Sequence, residues 1–188
     1  MRKRVINMFL KRILLSLSVI LLIPFKLLYA EPVTIGDVEM GNDQKSQAFE
    51  QVRKKLGKWE GTMEQGLTGA VFKVSYEFEL TSGGNTITET LVEDGVQMLT
   101  TYSDDKGKLV IKHYCGLGTE PVFEVDELTG SMMSIKLDRS KSDLHAEHES
   151  FVTNMKWTIN SKDSMSFENT VMLDGEPTIN KAIISRVY

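Results

Sequence analysis

Between residues 72 and 80 the chain alternates without a break. Ala70, Phe72, Val74, Tyr76, Phe78 and Leu80 are apolar at every second position, and Lys73, Ser75, Glu77 and Glu79 stand between the last five of them. On a helix those side chains would scatter around the axis, whereas on a strand they line one face. The pattern therefore admits one simple reading, a strand with one face buried and the other in water. A strand of this kind cannot stay single. It needs neighbours for its backbone groups and a second apolar surface against its inner face.

The neighbours are spelled out downstream. Ser82-Gly83-Gly84, Asp94-Gly95, Asp104-Asp105-Lys106-Gly107 and Asp174-Gly175 are turn signals. Between and after them the sequence predicts strands over Thr86 to Glu93, Val96 to Ser103, Lys108 to Cys115, Val122 to Asp126, Ser131 to Asp138, Ser150 to Ile159, Ser164 to Leu173 and Thr178 to Val187. Upstream, Asp43 to Leu56 is the one good helix candidate. Phe49, Val52 and Leu56 share a face with Ala48 beside them, Gly57 is a stop signal, and Lys54 and Lys55 suit the negative end of the helix dipole. The expected class is all-β: an antiparallel meander of about nine or ten strands, closed into a barrel, with one N-terminal helix. Closure also removes the exposed edges that a long meander would leave.

The first 30 residues have a different character. Arg2, Lys3, Arg4, Lys11 and Arg12 precede an apolar run from Ile13 to Phe25, and Ala30 supplies a small residue before Glu31. That order is a secretory signal peptide, and the 13-residue run falls short of the ~20 residues a membrane-spanning helix requires. The expected organisation is a signal peptide over 1–30, a flexible lead-in over 31–42, and a single barrel domain with its helix over 43–188. The expected location is periplasmic or secreted. The alternative is an uncleaved N-terminal anchor with the domain facing the periplasm.

Removing the leader from the 188-residue chain leaves 158 residues, enough for a single self-sufficient core. Six of the 22 Lys and Arg and none of the 26 Asp and Glu lie in the leader, so the remainder carries 16 basic against 26 acidic groups, a net charge of −10. Such a domain repels phosphate backbones, which excludes nucleic acid as a partner class. The lone Cys115 cannot form a disulfide within the chain. In an oxidising compartment its retention calls for burial or ligation.

Phosphate-binding glycine loops, nucleophile elbows, paired zinc-ligand cysteines and calcium-loop spacings are all absent from the sequence. The remaining candidates are few. In the strand Lys108 to Cys115, the residues Leu109, Ile111, His113 and Cys115 share the face opposite Lys108 and Lys112, which points His113 and Cys115 into the barrel. His145 and His148 sit in a polar segment, Arg139 to Glu149, that reads as a loop. Were it to fold over the barrel mouth, the three histidines and Cys115 would converge.

Leu56-Gly57-Lys58-Trp59-Glu60-Gly61 resembles the Leu-Gly-x-Trp-x-Gly opening of the first strand in lipocalin-like and fatty-acid-binding-like β-barrels, where the Trp plugs one barrel end and a Gly lets the chain approach closely. Taken with Thr81-Ser82-Gly83-Gly84, Glu89-Thr90-Leu91 and Lys112-His113-Tyr114-Cys115, the chain from about Phe49 onward resembles a family of small bacterial lipocalin-like (calycin-type) proteins with no assigned activity. Members of that family often carry a downstream histidine pair with one residue between. Here the spacing is His145-Ala146-Glu147-His148, a departure from that pattern. A more distant likeness to haem-binding barrels of the nitrobindin type rests on the Trp motif and implies histidine ligation of haem by analogy.

Three functions fit these residues. The first is a binding protein holding a small apolar molecule in the barrel, with His113, Cys115, Tyr76 and Tyr102 as interior contacts. The same residues also suit a filled core. The second is a metal or haem site built from His113 with His145 or His148, using a transition metal or haem as cofactor. The third is an enzyme in which His113 activates Cys115, though nothing in the sequence supplies an orienting third group. The leader generates a direct test. Intact-mass analysis of the exported protein is expected to show a chain beginning at or near Glu31; retention of Met1 to Ala30 would mean that the segment acts as an anchor.

Overall fold

A computed structural model describes residues 45–188; the expected signal peptide over 1–30 and lead-in over 31–42 lie outside the described residues. Helix α1 (Gln47–Arg53) is followed by ten strands. They are β1 (Gly57–Glu64), β2 (Val71–Thr81), β3 (Thr86–Glu93), β4 (Val96–Asp105), β5 (Lys108–Tyr114), β6 (Val122–Leu128), β7 (Met132–Leu137), β8 (Phe151–Ser161), β9 (Ser164–Leu173) and β10 (Glu176–Val187). Each strand pairs antiparallel with the next, and β1 pairs with β10. The sheet is thus a meander closed into a barrel, as the alternation and turn signals predict.

The turns explain why the meander closes without crossovers. Asp94 and Gly95, Lys106 and Gly107, and Asp174 and Gly175 all have positive φ, the conformation of two-residue hairpin turns whose twist matches the flanking strands. Along β2, Val74, Tyr76 and Phe78 are buried while Lys73 and Glu79 face solvent. The alternation fades at Leu80, 43% exposed, where β2 runs past the barrel rim. Strand β5 buries Leu109, Ile111 and His113.

The helix is shorter than the expected Asp43 to Leu56. Its start is set by Ser46, whose hydroxyl accepts the Phe49 amide at 3.1 Å. Its end is set by tightened bonds from the amides of Lys55 and Leu56 to Val52 O and Arg53 O. Lys55 therefore does not serve the helix dipole at the surface: it leaves the helix and turns inward, and is 2% exposed. The helix lies across one end of the barrel. The Ser46 amide bonds to the Asp104 carboxylate, Lys45 to the side chain of Asn85, and Lys54 Nζ donates to Gly130 O at 3.1 Å, so three separate turns of that end are tied to it.

Trp59 completes this closure. It is 1% exposed, its Nε1 donates to Lys55 O at 2.7 Å, and the Arg186 guanidinium lies 4.2 Å from its ring centre. Arg186 in turn donates to Leu56 O at 2.5 Å and Lys54 O at 3.3 Å, capping the carbonyls that the helix end leaves free. Gly61 marks the close approach: a Cβ there would stand 2.1 Å from Ile183 O on the paired strand β10. Truncating the plug is expected to be expensive. Trp59→Ala should destabilise the domain by about 3–5 kcal/mol in denaturant unfolding, and a change under about 1 kcal/mol would show that the ring does not hold this end shut.

Candidate functional site

The barrel interior is not uniformly apolar, and the register accounts for where its polar groups fall. Strand β3 turns Ile87, Glu89, Leu91 and Glu93 inward. Across the sheet, Phe78 pairs with Glu89, Glu89 with Thr100, and Thr100 with His113, one row spanning four strands on the inner face. Glu89, Thr100 and His113 are 2%, 1% and 2% exposed. Buried polar groups of this kind require partners.

Lys55 supplies one from the closed end. Its ammonium lies 3.8 Å from the ring centre of Trp157, 4.6 Å from Phe78 and 5.0 Å from Tyr102, with no hydrogen-bond partner among the described residues. Burial lowers its pKa to about 8, against the pull of Glu89. The Glu89 carboxylate accepts the Tyr102 hydroxyl at 2.5 Å, with the Thr100 hydroxyl as a further donor. Burial pushes Glu89 up, and Lys55 and these two hydroxyls oppose it. Thr100 Oγ1 also lies 3.0 Å from His113 Nδ1. Desolvation brings His113 down to about 4, so its imidazole is neutral at neutral pH.

The second interior carboxylate, Glu93, sits nearer the opposite end. It accepts the Tyr76 hydroxyl at 2.8 Å, and burial raises its pKa to about 7. Burial and the two carboxylates push Tyr76 far up, so it stays a phenol donor.

At that end a cavity of about 300 Å³ enters the barrel between the β3–β4 turn, the segment after β5 and the β9–β10 turn. Its walls are mostly apolar, from Phe72, Leu91, Met98, Met155, Phe167 and Val171, and its polar groups include Glu93, Asp94, His113, Asn169 and Asn180. His113 and Cys115 both line it, as their shared strand face predicts. Tyr76 and Tyr102 are buried in the interior but do not line the cavity; their hydroxyls are committed to Glu93 and Glu89.

His145 and His148 form a single helical turn, with the His148 and Glu149 amides bonded to His145 O and the two imidazoles stacked at 5.6 Å. The loop reaches the mouth, since Ala146 O lies 3.7 Å from where a Cβ on Gly175 would be. The rings nevertheless remain exposed, with His145 Nε2 3.1 Å from Asp143, and neither lines the cavity. Among the described residues, no three of His, Cys, Asp and Glu are gathered as a metal-ligand set. His113 is the imidazole on the cavity wall, so a metal or haem there would find one histidine on the described wall.

Cys115 and His113 are not joined by a hydrogen bond. The imidazole is bonded to Thr100, and the thiol faces the amides of Leu117 and Gly116. Burial pushes the Cys115 thiol up and the Glu93 charge adds to that, so it is protonated at neutral pH, the weakly nucleophilic form.

Three buried ionisable residues of the interior belong to no sequence motif: Lys55, Glu89 and Glu93. Glu89 carries a legible signal, an acid in phase with the apolar Ile87 and Leu91. Lys55, beside Lys54 at a helix end, carries none.

No protein-family model matches the chain, and no curated protein matches it. Among solved structures, the chain is similar to a protein of unknown function of the DUF3598 family from Nostoc punctiforme, with a TM-score of 0.54 at 10% identity. The match covers 72% of this chain and 49% of that one, so it spans about half the length of the neighbour. The likeness is one of fold.

Proposed function

We propose that this is an exported small-molecule-binding protein with a lipocalin-like barrel, taking a small and largely apolar ligand into the cavity at the open end. The observation that carries this reading is the cavity itself. At about 300 Å³ it lies at the lower end of the ~300–1,000 Å³ range of small-molecule sites, and barrel mouths are a favoured place for them. One barrel end is tied shut by α1, Trp59 and Arg186, while the other leaves apolar walls open to solvent. The two methionines on those walls, Met98 and Met155, are flexible and polarisable, which suits a pocket that adapts to its occupant. The leader pattern supports export. A thiol kept in a cavity wall, rather than on the open surface, suits an oxidising compartment.

Native mass spectrometry of the protein purified from the periplasm is expected to show a bound organic molecule, or to show uptake of an apolar naphthalene probe that raises its fluorescence. Filling the space should abolish this. Met98→Trp is expected to leave the fold intact at a cost of about 1–3 kcal/mol and to remove probe binding; retained binding would place the ligand elsewhere. Cys115 gives an independent check. It is expected to react with a bulky maleimide far more slowly in the native protein than in denaturant, and the adduct, once formed, should block the probe.

A further inference from the structure

We propose that the ligand's polar end is a protonated primary amine, received by the Glu93 carboxylate and by His113 Nε2, so that the ligand class is apolar amines and not fatty acids. This inference rests on the binding reading above and names the chemistry of that same cavity.

The argument begins at the closed end. Lys55 places a positive charge beside Glu89, and Glu89 accepts hydrogen bonds from Tyr102 and Thr100. A threonine hydroxyl has one hydrogen. When Thr100 gives it to Glu89, its oxygen is left to accept from His113, whose Nδ1 stands 3.0 Å away. That direction of donation assigns His113 the Nδ1–H tautomer, in which Nε2 carries a lone pair and no hydrogen. That nitrogen has no partner among the described residues, and the ring, 2% exposed, lines the cavity. The buried row of hydrogen bonds thus presents an acceptor to whatever occupies the space.

Glu93 presents a second. One of its oxygens takes the Tyr76 hydroxyl, and the other has no hydrogen-bond donor among the described residues. Asp94 adds a second acid at the rim, and no Lys or Arg lines the cavity among the described residues. On the facing wall, Asn180 donates to Asn169 Oδ1 at 2.9 Å and accepts the Gly66 amide at 3.1 Å, which leaves the Asn169 NH2 as an uncharged donor there but no cation. A fatty-acid carboxylate would bring its charge against two carboxylates and a bare imidazole lone pair. An ammonium brings three N–H donors to the same groups.

The titration of Glu93 offers a handle. The groups facing it are Tyr76 from β2, His113 from β5 and Cys115 just after it, and Glu89 and Asp94 from its own strand and turn; His113 is held neutral by burial, and strand β4 contributes the uncharged Val96 and Met98. None of these is cationic. Its pKa of about 7 means that the carboxylate is mostly neutral at pH 6 and mostly charged at pH 8, while an alkylamine stays protonated at both.

The test is a displacement series on the purified protein, in which octylamine, octanol and octanoate compete with an apolar naphthalene probe. At pH 8 octylamine is expected to bind at least about tenfold more tightly than octanoate, with octanol between them, and the advantage should shrink by about tenfold at pH 6. Glu93→Gln should level the series and remove its pH dependence while the probe still binds, which shows that the variant is folded. Octanoate binding as tightly as octylamine, or an amine preference that does not change between pH 6 and pH 8, would overturn the amine assignment and leave the cavity reading standing. Failure of the probe and of all three competitors to bind would instead remove the cavity reading on which the assignment rests.

Discussion

A single buried ammonium sets the terms for the rest of this barrel. Transferring a lone charge into an apolar interior costs several kcal/mol or more unless something compensates it. Lys55 has no hydrogen-bond partner among the described residues. What compensates it is three aromatic faces, at 3.8, 4.6 and 5.0 Å, together with the Glu89 carboxylate. Each of those partners needs a position of its own. Trp157 and Tyr102 must be in edge contact, Glu89 must face inward at the one row where Phe78 lies on one side and Thr100 on the other, and the chain must leave α1 in time to turn Lys55 under the barrel. The early helix end, the Trp59 bond to Lys55 O and the Arg186 clamp over it all serve that turn.

The consequence is an asymmetric barrel. The end with the charge is strapped by α1 and its contacts to Asn85, Asp104 and Gly130. The other end includes the sheet's thinnest seam: β5 and β6 pair through Ile111 with Phe123 and Lys112 with Val122, after which the chain swings out through Gly116 and Gly118. Single bonds from the His113 amide to Pro121 O and the Cys115 amide to Thr119 O keep the ladder from opening entirely. Because His113 and Cys115 sit at this seam, they meet the cavity, while Leu109 and Ile111 on the same face are packed solid.

This division explains what was legible in the sequence. The alternation of β2 and the Asp-Gly turns are local signals, and local signals carried the fold: a meander of nine or ten strands and the inward phase of β5 follow from them. The helix was overdrawn because nothing in a one-dimensional pattern separates a lysine that suits a helix dipole from one that turns into the core; Lys54 and Lys55 look alike, and only tertiary packing tells them apart. The histidines show the converse, a local signal without a tertiary meeting. His145 and His148 do lie side by side on a helical turn at the mouth, but their imidazoles stack on each other, with His145 against Asp143, and neither lines the cavity with His113. The informative anomaly was Glu89, a charged residue on an apolar face, and such an in-phase acid is a stronger sign of a built interior than any histidine in a polar loop.

The two interior acids then read as a matched contrast. Glu89 and Glu93 are four residues apart on one strand, both face inward, and each accepts a tyrosine hydroxyl. Glu89 has a cation supplied by the chain, since the charge of Lys55 opposes the upward push of burial on it. Glu93 has none, and burial holds it near the midpoint between its two protonation states. A core under selection for stability alone would gain by replacing such a group with an apolar one. Under the binding proposal, such a group at a cavity wall is part of a site, and the cost of burying it is offset by the charge of the occupant.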